Sequence, residues 1–108
     1  MIDVQKVIRF CRSELGIMDS VKVEVSLGDL TEDNAHGWCI KPADFHNFKL
    51  NVYDIELEET LNDEEMLVTL CHEMVHVRQY SEGDKSDERE AEELESVLAD
   101  KYKKSFGS

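Results

Sequence analysis

Between Asn62 and Gly83 the sequence describes a long helix with both ends marked, and this segment limits what the rest of the chain can build around it. Asn62 is a good N-cap. Glu65, three residues on, completes a capping-box pattern, and Asp63 and Glu64 suit the positive end of the helix dipole. Leu67, Leu70, Cys71, Met74 and Val75 recur at helical spacing and supply an apolar face. Gly83 is the expected stop. Such a face must be covered by other elements of a chain of 108 residues.

The flanking segments offer that cover. Residues 3–15 place Val4, Val7, Ile8, Cys11 and Leu15 at helical spacing, and Gly16 is positioned to end that helix. Val21, Val23, Val25 and Leu27 alternate with polar residues, the period of a half-buried strand. Residues 28–34 read as a polar turn. Residues 35–41, before the only proline (Pro42), form an expected second strand. Phe48, Leu50, Val52 and Ile55 suggest a third, with Asn51 and Tyr53 on its other face. A last helix is expected from Ser86 or Asp87 to Lys104, with Leu94, Val97 and Leu98 as its inner stripe. The order helix, three strands, helix, helix predicts a single α+β domain over residues 1–108, with helices packed on a small sheet.

Charge narrows the partners. Twelve Lys and Arg against 25 Asp and Glu give a formal net charge of −13, which repels polyanions. Nucleic-acid affinity needs clustered cations, and only short basic groups occur, at Arg9/Arg12 and at Lys101, Lys103 and Lys104. No nucleic-acid partner is expected. No apolar run approaches the roughly 20 residues that cross a bilayer, so no membrane association is expected. Lys6, Arg9 and Arg12 interrupt the apolar residues near the N-terminus, unlike a signal peptide, and a cytoplasmic setting is the expectation. Cys11, Cys39 and Cys71 form no Cys-x-x-Cys pair, and each sits in an apolar pattern, as reduced core thiols do.

His72-Glu73-Met74-Val75-His76 is the sharpest chemical signal. Residues four apart lie one above the other on one helix face, so both imidazoles can reach one metal ion. Zinc accepts imidazole nitrogens and prefers four ligands in all. Glu73, beside the first histidine, is placed to act as the general base for a water that the zinc activates. No histidine follows His76 (the other two are His36 and His46), so a third protein ligand must be a downstream carboxylate. The phase of the last helix selects Glu90, in line with Leu94, Val97 and Leu98, with Glu93 as second choice. Glu88, Glu92 and Glu95 are expected on wetter faces. Tyr80, Tyr102, His46 and His36 are the candidates for an electrophile that assists the metal. Trp38, Phe45 and Phe48 are candidates for a substrate groove, with core packing the expectation for Phe48 and a partly exposed site for Trp38.

His72-Glu73-x-x-His76 followed by Glu90-Ala91 in a second helix resembles the gluzincin metallopeptidases. The run from Thr69 to Tyr80 also looks like small prokaryotic and phage-type zincin domains, including the minigluzincin and SprT-like groups. The resemblance spans residues 34–102. It implies a minimal zincin fold, zinc as cofactor with His72, His76 and Glu90 as ligands, and Glu73 as catalytic base. Asn34-Ala35, with Trp38 close behind, resembles the edge strand on which gluzincins lay an extended substrate. Two departures stand out: there is no third histidine, unlike a strict SprT pattern, and no C-terminal lobe is visible.

These readings lead to a zinc metallopeptidase acting on a peptide or protein substrate. A zinc-stabilised binding module and a zinc hydrolase of a non-peptide amide are the alternatives. The intact Glu73 argues against the binding module, because a purely structural site has no use for a carboxylate poised over an open position.

Overall fold

Asp3 opens the first helix, α1 (Val4–Leu15), by accepting the Lys6 N–H at 3.1 Å, and Gly16 closes it in the left-handed region at φ 67°. The computed structural model describes residues 2–40, 52–83 and 85–106. After α1 come strand β1 (Lys22–Gly28), a 3-10 turn (Thr31–Asp33) and strand β2 (Gly37–Ile40). Strand β3 (Val52–Glu58) and the helices α2 (Asp63–Ser81) and α3 (Glu88–Phe106) complete the order. The result is an α+β arrangement of three helices on a small mixed sheet. Phe45, His46, Phe48, Leu50 and Asn51 fall outside the described residues.

The sheet order is β1-β3-β2. β3 runs parallel to β1, with Val25 opposite Ile55, and antiparallel to β2, with Cys39 opposite Ile55. The parallel pair needs a crossover, and β2 lies on the far side of β3 from β1. Successive side chains of a strand alternate between faces, so Val52 and Ile55 cannot share one. Tyr53, Ile55 and Leu57 are the buried set, with Val52 half-buried on the opposite face. This reverses the expected facing of Val52 and Tyr53. α2 lies over β2 and β3. β1 is less covered, and Leu27 at its end is exposed.

α2 is the centre of the molecule. Asn62 and Glu65 form the expected reciprocal capping box, at 2.8 and 3.1 Å. α1 packs on one side of the helix and α3 on another. Its burial therefore extends beyond the expected face to Met66, Thr69, Glu73, His76, Val77 and Gln79. The chain leaves it through Gly83, at φ 81°.

The phase of α3 differs from expectation. Ala91, Leu98, Ala99 and Tyr102 are buried, Leu94 is half-buried, and Val97 is 45% exposed. The small Ala91 and Ala99 let α3 approach closely. The inner stripe is thus turned toward Ala91, Glu95, Leu98 and Tyr102. Cys11 and Cys71 meet inside the core with sulfurs 3.8 Å apart, and none of the three cysteines forms a disulfide. Among the described residues, no helix is long and apolar enough to cross a membrane.

Candidate metal centre

His72 and His76 project from one face of α2, as their spacing requires, and their Nε2 atoms are 3.3 Å apart. The carboxylate that meets them is Glu88, from the first turn of α3. One Glu88 oxygen lies 2.7 Å from His76 Nε2, and the other 3.0 Å from His72 Nε2. The ligand atoms of these three residues lie within 4.8 Å of one another. Nitrogens bound to zinc at about 2.0–2.1 Å in a tetrahedron stand about 3.3 Å apart, the separation found here. Two imidazole nitrogens and a carboxylate this close need a shared proton or a cation between them, and a divalent ion suits all three. The donor set therefore fits a metal. His76 is buried at 3% exposure, whereas Glu88 is 65% exposed.

Glu73 lies on the neighbouring face of α2 and is only 6% exposed. Burial pushes its carboxyl above the ordinary range, the charges of His72 and His76 oppose that push, and Glu88 and Glu95 add to it. A pocket of about 240 Å³ opens beside it, lined by His36, Gly37, Thr69, His72, Glu73, Glu92 and Glu95. Glu95 Oε1 lies 3.7 Å from His72 Nδ1.

Glu90 stands elsewhere. Its carboxylate pairs with the Arg78 guanidinium and accepts the Gln79 amide at 2.9 Å. Glu93 is exposed and pairs with Arg89 at 3.3 Å. The structure therefore brings His72 and His76 together as expected, but with Glu88 in place of Glu90. Of the four electrophile candidates, His36 lines the pocket with Glu73. Tyr80 stacks beside His76 at 6.1 Å. Tyr102 is buried among Phe10 and Phe106, on the side of α3 that meets α1, and His46 is outside the described residues. Trp38 lies opposite Glu56, on the sheet face away from α2, and donates to that carboxylate at 2.9 Å, so it does not line this pocket.

The residues that sequence reasoning passed over are Glu88, Glu95 and Gln79. The first two were legible in principle. Residues 88, 91, 95, 98 and 102 follow alternating steps of three and four, the mark of one inward-facing helix stripe.

No family model matches the chain, and no curated protein or solved structure matches it significantly.

Proposed function

We propose that this chain is a zinc-dependent metallopeptidase of minimal zincin type, working in the cytoplasm on peptide or protein substrates. The observation that carries the reading is the meeting of two imidazole nitrogens and one carboxylate beside a buried glutamate on the same helix. His72, His76 and Glu88 would hold the ion. Zinc so held supplies a Lewis acid that polarises a carbonyl and makes water acidic enough to attack at neutral pH.

Glu73 then receives the proton of the attacking water. Its burial beside the pocket suits it to that task and to the later delivery of the proton to the leaving amine. His36, which lines the same pocket, is a side chain that could meet an oxygen gaining negative charge. Among the described residues β2 is the outer strand on this side of the sheet, so an extended peptide can lie along it beside His36 and Gly37.

The test is Glu73→Gln. This carboxamide cannot accept the proton, so the variant should bind zinc as the wild type does and lose about 100–10,000-fold in turnover of a peptide library. Unchanged turnover would sink the mechanism. A wild-type protein that binds zinc but cleaves nothing would turn the reading to a zinc-stabilised binding module.

A further inference from the structure

Gln79 lies one turn after His76 on α2, is 2% exposed, and takes no part in the reaction proposed above. Its side-chain oxygen is 2.9 Å from His76 Nδ1 and accepts the Asp87 N–H at 3.0 Å. Its side-chain nitrogen donates to the Asp87 carbonyl at 3.0 Å and to Glu90 Oε1 at 2.9 Å. The partners leave no freedom in how the carboxamide is oriented. A backbone N–H can only donate, and a carbonyl and a carboxylate can only accept. The oxygen must therefore face Asp87 N and His76, and the nitrogen must face Asp87 O and Glu90. An amide oxygen cannot donate, so the proton in the bond to His76 belongs to Nδ1. In the neutral ring the lone pair is then on Nε2, the atom turned toward His72 and Glu88.

The same carboxamide grips both backbone groups of Asp87, the residue just before Glu88. One side chain thus sets the donor atom of His76 and fixes where α3 begins. Glu90 closes the arrangement from behind, paired with Arg78 as well as with Gln79.

We infer that Gln79 is a positioning residue for the metal centre, fixing His76 as its Nδ1–H tautomer and holding the start of α3 so that Glu88 reaches the two histidines. The inference rests on the reading of His72, His76 and Glu88 as metal ligands. Residues that hydrogen-bond a metal ligand in this way typically change metal affinity by about 10–100-fold.

The experiment uses the full chain with zinc as the probe. Zinc affinity is measured by calorimetry, and the His76 tautomer by nitrogen-15 NMR of the metal-free protein. Wild type should carry a proton on His76 Nδ1, whether or not Nε2 shares one with Glu88. Gln79→Leu should lose that single signature and about 10–100-fold in zinc affinity. The exchange Gln79→Glu with Glu90→Gln keeps an acceptor for His76 Nδ1 and the Asp87 N–H and a donor between the two side chains, while the Asp87 carbonyl loses its donor. It should restore the tautomer and recover part of the affinity, which mere repair of packing would not do. If Gln79→Leu fails to fold, the exchange carries the test alone. A folded exchange variant showing Nε2–H at His76 would overturn the inference, as would wild-type affinity in Gln79→Leu. Wild type with the Nδ1–H form set by Gln79 but no zinc binding would remove the metal reading and leave the control of His76 by Gln79 supported.

Discussion

Glu88 and Glu90 are two residues apart on α3, so they point about 200° apart around a helix of 3.6 residues per turn. Only one of them can face the histidines. Glu88 does so, and Glu90 turns toward Arg78 and Gln79. If zinc is held as proposed, Glu88→Ala removes a ligand and should lower affinity by more than about 100-fold. Glu90→Ala loosens only a neighbour and should stay within the roughly 10–100-fold range of such changes. Zinc titration of the two variants checks this, and the reverse order would return the ligand role to Glu90. The histidine pair was legible because the spacing that brings them together is local to one helix. The third carboxylate was not, because its choice depends on which face of α3 packs inward. Leu94 and Val97 read as the more apolar pair, since Ala91 is small and Tyr102 carries a hydroxyl. Yet the contact between α2 and α3 selects Ala91 for its small size and leaves Val97 in solvent.

At the level of elements, the helix ends were written in the sequence. Asp3, Gly16 and Asn62 act within one turn of themselves, and all three do what their residue types predict. The sheet order was not written there, since pairing β3 between β1 and β2 joins residues distant along the chain. One glycine shows how tightly β2 is held against α2. A Cβ added at Gly37 would stand 2.9 Å from Thr69 Cγ2 and 3.0 Å from both the Glu56 carbonyl and Leu57 Cδ2. The backbone carbonyl cannot turn aside as a side chain can, so β2 itself must shift. Overpacking of this kind typically costs about 1–3 kcal/mol. Gly37→Ala should therefore lower the melting temperature by about 4 °C or more. Adding Thr69→Ser, which deletes one of the three clashing atoms, should recover part of that. Gly28→Ala is the control, because its new atom would meet only Glu56 Oε2 at 3.8 Å. Equal melting of the Gly37 and Gly28 variants would show that β2 is free to move away from α2.

Over the whole molecule, part of the net charge of −13 is gathered round the candidate site. Glu92 and Glu95 line the pocket beside Glu73, and Glu88 stands over the histidines. One bound divalent cation cannot neutralise this surplus, so the field at the pocket mouth stays negative. Such a field concentrates cationic ligands and raises their association rates by about 10–1,000-fold at low salt. If the chain cleaves peptides as proposed, those with Lys or Arg flanking the cleaved bond should therefore have higher kcat/KM than otherwise identical peptides flanked by Asp or Glu. Salt discriminates this long-range steering from a specific pocket contact. The screening length falls from about 30 Å at 0.01 M to about 3 Å at 1 M, so the preference should shrink steadily across that range. Neutral peptides should change little, because they feel the field weakly. A preference for basic flanks that persists undiminished at 1 M salt would place the discrimination in direct contacts with Glu92 and Glu95. No preference at low salt would mean that substrate reaches the site without help from the charge of the molecule.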